Sequence, residues 1–361
     1  VRIAHISDTH LGYRQYNLDE RENDFYEAFN EAIDKALEER ADILIHSGDL
    51  FDSPLPPIKA LYTLKNVLNR IEGKMKIFTV LGDHDTPKRR GMPPHTLFDI
   101  PILGIGKLEW VEVDGILIAG ISNLRLGDYL KKELSKFDAV AEKYRNSVLI
   151  AHQAIEKHLP FEGAYELKED DLPRRASYYA FGHLHSRILE RFGEGWFAYS
   201  GSTEIVRKDE ISAYRKKGKG FYLVDLDDEL TVHTIDLDIR PQMEVEVGVE
   251  EIENLVEYTN YLKKPIFHIT IKGESINRQH VIERIEELLR GNVLSYRCSF
   301  REIYGKKVEI PKGPINLKAI FDEYLGDKRL SELALELYEL LADGNVSDAI
   351  DMAERFMEGE E

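Results

Sequence analysis

A single cysteine, Cys298, is all that the chain contains. An intramolecular disulfide framework is therefore excluded, and the composition fits a reducing cytoplasm. Long apolar runs are missing too. None approaches the ~18 residues needed to span a bilayer, so no membrane-embedded role is expected. The first residues open straight into a strand-like run without the layout of a signal peptide, which adds to the expectation of a cytoplasmic location. Only 5 Met and 2 Trp occur while Glu, Lys and Arg abound, a bias that leans towards a thermophile. What is present suffices for a substantial core, since 361 residues with 43% hydrophobic content accommodate two or three domains.

An overall basic excess is also lacking. The net charge of −18 speaks against a nucleic-acid partner until it is mapped along the chain. The last 46 residues, from Asn316 onward, hold 13 acidic and 4 basic side chains and so carry half of that charge. Between Leu172 and Gly220, by contrast, 10 bases face 5 acids, and Lys88-Arg89-Arg90 adds a second basic group. Both basic stretches adjoin histidine and aspartate clusters, where a phosphate backbone would need positive charge.

Residues 1 to about 235 alternate strand-like and helix-like segments, the pattern of an α/β layered domain. A helix is predicted over Glu20 to Glu39, where Phe25, Ala28, Phe29, Ala32, Ile33 and Ala36 recur near the 3.6 period. Another should run over Ile58 to Ile71 behind Pro56-Pro57, residues that start a helix but do not continue one. Leu108 to Leu124 reads as two strands around an Asp-Gly turn, and Gly220 to Asp238 as a strand pair around Asp227-Asp228. From about Ile239 the pattern becomes β-α-β-α-β, with helices expected over Glu251 to Leu262 and Arg278 to Leu289. Pro311 to Pro314 punctuates a linker. Beyond it, two or three helices split at Gly326 and Gly344 carry an apolar stripe (Leu330, Leu333, Ala334, Leu337, Leu340, Leu341). About 45 such residues bury that stripe poorly alone, so the tail either packs back on the body or docks on a partner.

Five short clusters of metal-ligand residue types each follow an apolar, β-branched run. They are Asp8 with His10, Asp49, Asp83 with His84, His152, and His183 with His185. Strand tips in one buried sheet converge, so distant residues can share a site. Carboxylates mixed with imidazoles suit two manganese-like or iron-like ions, the chemistry of phosphoester hydrolysis. Taken singly, each cluster has a plainer reading. Asp8 can cap a turn beside a structural histidine, Asp49 can sit in a simple turn, and His152 can be a core or surface residue. The ordered set of five is what points to a metal centre.

That set, D-x-H, G-D, G-D-H-D, H and G-H-x-H, resembles the signature of the calcineurin-like metallophosphoesterases over roughly the first 200 residues. A narrower resemblance, to the archaeal Mre-eleven/SbcD type of double-strand-break repair nuclease, covers most of the chain. It rests on Ser7-Asp8-Thr9-His10-Leu11-Gly12-Tyr13-Arg14-Gln15, Ser47-Gly48-Asp49-Leu50-Phe51, Tyr179 to His185, and Tyr199-Ser200-Gly201-Ser202. The resemblance implies an α/β fold in which helices flank a layered β-sandwich core (1–238). A small α+β, DNA-binding cap (239–310) and a helical tail (311–361) would follow. The tail would dock on a coiled-coil ABC-type ATPase of the SbcC/Rad-fifty type. It implies two manganese ions, one held by Asp8, His10, Asp49 and His185, the other by Asp49, Asp83, His152 and His183, with His84 as catalytic acid or transition-state stabiliser. A homodimer acting on DNA ends, in an archaeal cytoplasm at the nucleoid, also follows from the resemblance. Arg14, Lys88, Arg89, Arg90, Arg207 and Lys208 are candidates for phosphate contacts.

Two positions depart from the family pattern. Asp83 stands where the broad family usually has Asn, which adds negative charge to the pocket. Asp52 stands where some relatives carry a histidine. Two other functions remain open: a phosphomonoesterase or cyclic-nucleotide phosphodiesterase on the same core, and a DNA-end-binding scaffold with a vestigial site.

Overall fold

The structure, a computed structural model, describes residues 1–87, 91–159, 163–227, 229–302, 317–342 and 346–358. Lys88, Arg89 and Arg90, the Asp228 turn position, the Pro311 to Pro314 linker and Gly344 lie outside the described residues. The chain divides into two compact units, Val1–Glu302 and Ile303–Glu361.

The first unit is built on two sheets. Strands β1 (Arg2–Ile6), β2 (Ile43–His46) and β3 (Lys76–Thr79) run parallel in one of them. The other contains β4 (Glu109–Val113), β5 (Ile116–Ile121), β6 (Asn146–His152), β7 (Tyr178–Gly182), β8 (Ile188–Phe192) and β9 (Gly195–Tyr199) in the order β4-β5-β6-β7-β9-β8. Strands β10 (Gly220–Leu226) and β11 (Leu230–Asp236) complete the first sheet on the outer side of β1, so its order is β11-β10-β1-β2-β3. The inner faces meet through Ile3, Ile43, Ile45, Ile118, Val148, Ile150 and Tyr178. Alternate residues of the same strands, Ala4, Ile6 and Leu44, face α1 (Asp19–Glu38), α2 (Ile58–Ile71) and the later α5 (Ile211–Lys217). Leu149, Ala151, Tyr179 and Phe181 face α3 (Gly127–Leu134) and α4 (Phe137–Ala141). Both faces of the central strands are thus covered, which explains why β2, β6 and β7 read as continuous apolar runs, whereas the outer strands β4 and β11 alternate.

The predicted α1 stripe is buried from Phe25 to Ala36, and Asp19, Glu20 and Glu22 complement the helix dipole in its first turn. A buried histidine ties the sheets together. His5 lies 2.8 Å from both the Tyr178 hydroxyl and the Ser47 Oγ, and burial pulls its pKa down to about 3, so it remains neutral.

A small α+β layer follows in the same unit. Strands β12 (Gln242–Gly248), β13 (Ile266–Gly273) and β14 (Ser295–Glu302) are parallel, and α6 (Arg278–Leu289) covers one face. The helix expected over Glu251 to Leu262 is instead a 3₁₀ helix over Val249–Thr259. Its buried residues are Ile252 and Leu255, while Val256 is 41% exposed. A spacing of three puts Ile252 and Leu255 on one face of either helix type, so the apolar pattern does not tell the two apart. Arg240 clamps this layer to the core by a two-pronged contact to Asp24, at 2.6 and 2.9 Å. Tyr16 adds its hydroxyl, 3.2 Å from His268 Nε2, and a ring that lies 4.3 Å beneath the Arg297 guanidinium.

In the second unit, α7 (Leu317–Leu325), α8 (Lys328–Ala342) and α9 (Val346–Glu358) form the tail. The first break falls at Gly326, whose φ of 64° is left-handed, and Asp327 caps α8 by accepting from the Arg329 amide at 2.8 Å.

Candidate metal centre

The seven ligand-type residues come together. β1, β2 and β3 are parallel to one another, as are β6 and β7, so Asp8, Asp49, Asp83, His152 and His183 all leave the C-terminal strand ends. Asp83 Oδ1 is 3.2 Å from both His152 Nε2 and His183 Nδ1. Asp49 Oδ2 is 3.4 Å from His152 Nε2 and 3.9 Å from His10 Nε2. His185 Nε2 lies 3.2 Å from His10 Nε2 and 4.0 Å from Asp8 Oδ1. Two clusters, Asp8-His10-His185 and Asp83-His152-His183, flank Asp49, and each holds ligand atoms close enough to grip one ion.

The backbone is bent hard to achieve this. Asp8, His10 and Asp49 have φ of 49°, 44° and 53°, and His183 has φ 95°. Such left-handed non-glycine residues cost energy that the surroundings must overrule, and they gather at working sites. Gly182 lies where a Cβ would strike the Ser47 carbonyl, the Ser7 Oγ and the His152 ring, so glycine alone fits behind the ligands.

Three of the rings are aimed by their other nitrogen. Nδ1 of His10 is 3.2 Å from Asp52 Oδ1, that of His185 is 2.7 Å from Glu210 Oε1, and that of His152 donates to the Ser47 carbonyl at 2.9 Å. With those acceptors engaged, the Nε2 lone pairs point into the cluster. Two such lone pairs 3.2 Å apart require positive charge between them. Without metal a proton supplies it: burial disfavours the charged form, yet Asp52, Asp49 and Asp8 raise His10 to about 9. Burial is likewise overcome at His152, which Asp49 and Asp83 lift well above the usual range. Burial would raise the Asp49 and Asp83 carboxyls, but His152 (with His183 for Asp83) holds both well below the ordinary carboxylate range. Mixed oxygen and nitrogen donors whose lone pairs must otherwise be protonated fit divalent cations.

His84 stands apart. Its ring is exposed at the edge of a cleft of about 680 Å³ lined also by Tyr13, Asp52, Arg207 and Glu210. Its Nδ1 donates to the Asp52 carbonyl at 2.9 Å, which leaves Nε2 for the cleft, and its backbone amide donates to Asp49 Oδ1 at 2.9 Å. It also lies close enough to His10 and Asp49 for the three to form a ligand group.

Only part of the basic stretch from Leu172 to Gly220 adjoins the cleft, contrary to the expectation from its position in the sequence. Arg207 lines the cleft, and Lys208 reaches Glu244 at 3.4 Å. Arg175 and Arg191 instead line a pocket beside Asn146 and Ser177, at the N-terminal ends of β6 and β7. Arg187 is buried and bonded to Asp236 at 2.7 Å. β8 runs antiparallel to β9, so the chain goes from the C-terminal ends of the parallel strands to their N-terminal ends and back, and proximity in sequence is not proximity to the ligand-type residues. Arg14 pairs with Asp19 at 2.7 Å, and Arg207 with Asp209 at 3.5 Å.

Sequence reasoning missed Ser47, Glu210, Lys219 and Asp85. Asp85 is wholly buried and accepts from the Leu50, Phe51 and Gly82 amides at 3.0, 2.9 and 3.2 Å, stapling the Asp49 loop to the Asp83 loop. Its place in G-D-H-D was the one available signal for this role. The others support ligands from distant segments, and no spacing announces them.

The sequence matches the calcineurin-like phosphoesterase family over residues 1–187. It is 38% identical to the DNA double-strand break repair protein Mre11 of Thermoplasma acidophilum over 92% of both chains. Mre11 of Methanocaldococcus jannaschii is 40% identical, over 76% of this chain and 77% of its own length. Mre11 of Sulfolobus acidocaldarius is 38% identical, over 86% and 85%. With that sequence likeness, the layered sandwich and the ligands gathered at its strand tips, the chain belongs to the calcineurin-like phosphoesterase family, in its archaeal Mre11 branch.

Proposed function

We propose that the chain is a manganese-dependent DNA exonuclease and endonuclease that processes ends in double-strand-break repair. The observation that carries this reading is the pair of ligand clusters on either side of Asp49, with a differently held imidazole, His84, at their rim. Asp8, His10, Asp49 and His185 would hold one ion, and Asp49, Asp83, His152 and His183 the other. Bound there, two divalent ions supply Lewis acidity to the phosphoryl oxygens and a water acidic enough to serve as nucleophile near neutral pH. His84 Nε2 protonates the departing sugar oxygen. Arg14, Arg207 and Lys208, with Lys88, Arg89 and Arg90, contact backbone phosphates.

We read 1–238 as the nuclease core, 239–310 as a DNA-binding cap and 311–361 as the docking region for a coiled-coil ABC-type ATPase. Exposed Tyr324, Leu341 and Ile350 in the tail support a partner there. Homodimerisation is supported by Leu55, Ile58 and Tyr62, large apolar side chains that stand 89%, 84% and 62% exposed at the start of α2. Among the described residues no helix is long and apolar enough to cross a membrane.

With manganese present, the chain should degrade linear duplex DNA and leave a simple aryl phosphate almost untouched. Turnover of the aryl phosphate alone would overturn the nuclease reading in favour of a phosphomonoesterase. Binding of DNA without any cleavage would favour the scaffold with a vestigial site.

Asp83 yields a second test. Its full negative charge, compared with an amide, should tighten metal binding and make the ions less electrophilic. Asp83→Asn is expected to weaken manganese binding by at least about tenfold, the effect of removing a neighbouring unit charge in a protein-like dielectric. Turnover at saturating manganese should rise. Calorimetric titration and initial rates check both halves, and an unchanged affinity would contradict the assignment of Asp83 as a ligand.

A further inference from the structure

Behind His185 the fold buries a lysine that the chemistry above leaves idle. Lys219, immediately before β10, is 3% exposed. Its ammonium donates to Glu210 Oε2 at 2.5 Å, to Ser202 Oγ at 2.6 Å and to the carbonyl oxygen of His185 at 2.8 Å. Those are three acceptors for three donors. The Glu210 carboxylate in turn accepts hydrogen bonds from His185 Nδ1 at 2.7 Å and from the Arg207 and Val206 amides at 2.8 and 3.2 Å. One ammonium thus holds the backbone of His185 directly and its ring through Glu210. A buried ion pair contributes little net stability, because desolvation offsets its attraction. Its geometry, in contrast, leaves the His185 ring a single orientation.

The arrangement is one-sided. His152, on the opposite cluster, is held by neutral groups alone: its ring by the Ser47 carbonyl and its backbone oxygen by the Asn123 side-chain amide at 3.2 Å.

We propose that Glu210 and Lys219 are positioning residues that clamp His185 at both ring and backbone, and so set the affinity for one of the two ions. That ion is the one grouped with Asp8, His10 and Asp49. The proposal rests on the two-ion reading given above. Their effect passes through His185.

The test is manganese binding to the full chain, counted by electron paramagnetic resonance and titrated by calorimetry. The wild-type chain should take up two ions. Glu210→Gln keeps the size of the side chain but turns an amide N–H2 towards donors, and Lys219→Met removes the ammonium. In each variant one ion should bind as before and the other about 10- to 100-fold more weakly, the usual effect of removing a ligand's supporting partner. The double variant should be little worse than either single one, since both act through the same ring. A purely structural role would lower the melting temperature and leave both affinities at wild-type values. That result in folded Glu210→Gln overturns the clamp, even if Lys219→Met fails to fold. If the wild-type chain itself binds no manganese, the two-ion reading fails and the clamp falls with it.

Discussion

Replacing His84 with Asn should lower DNA cleavage by roughly 10²- to 10⁴-fold, the range supplied by a positioned proton donor, while two manganese ions still bind. The split between these two readouts follows from how the ring is held. Its Nδ1 is occupied by the Asp52 carbonyl at 2.9 Å, and Nε2 faces the cleft. The rings of His10, His152 and His185, by comparison, are buried or nearly so and aimed into the cluster. Because the loss concerns proton delivery, it should appear in kcat more than in KM. The alternative role is sharply defined, since His84 is also within ligand range of His10 and Asp49. If Asn at this position releases an ion, His84 is a ligand and the proton must come from elsewhere. Full cleavage by the variant would remove His84 from the mechanism altogether.

Asp49 should be the least replaceable residue of the centre. Its side chain is 3% exposed and lies between the two clusters, with Oδ2 directed at His10 and His152 and Oδ1 held by the His84 amide. Asp49→Asn offers one neutral oxygen where two ions expect a shared anion. Cleavage should fall to background, a loss of about a thousandfold or more if metal-ion stabilisation of several kcal/mol disappears. A thermodynamic signature should accompany it. Ions that bind the folded chain alone stabilise it by about 2.7 kcal/mol at a hundredfold excess over Kd. Manganese should therefore raise the melting temperature of the wild-type chain and leave that of Asp49→Asn unmoved. A wild-type-sized shift in the variant would show that Asp49 does not bridge.

Much of this centre was legible before any coordinates. Runs such as Ile43-Leu44-Ile45 and Ser147-Val148-Leu149-Ile150 became β2 and β6 because strands covered on both faces must be apolar throughout. The α1 stripe and the proline start of α2 were equally plain, because their signals are local and periodic. Less legible were α3, α4 and α5, with 8, 5 and 7 residues, too short to establish a period. The hairpin of β8 and β9 was also missed. β9 inserts between β7 and β8, an order that follows from pairing across the sheet and not from chain sequence. The 3₁₀ helix over Val249–Thr259 misled for a related reason, since helical hydrophobicity does not by itself choose the pitch.

The sequence by itself determined which side chains could meet a cation, and that they stand at strand tips. Both are matters of residue type and local pattern. Only the tertiary structure decided which nitrogen of each histidine faces the cluster. His152 is aimed by Ser47, 105 residues away, and His185 by Glu210, 25 residues away, which Lys219 holds in turn. Such contacts leave no periodic trace, because they depend on how strands and loops far apart in the chain are brought side by side. The left-handed backbone at Asp8, His10, Asp49 and His183 belongs to the same class. Neither aspartate nor histidine adopts that conformation as its first choice, and here it persists because the packed sandwich around it holds it.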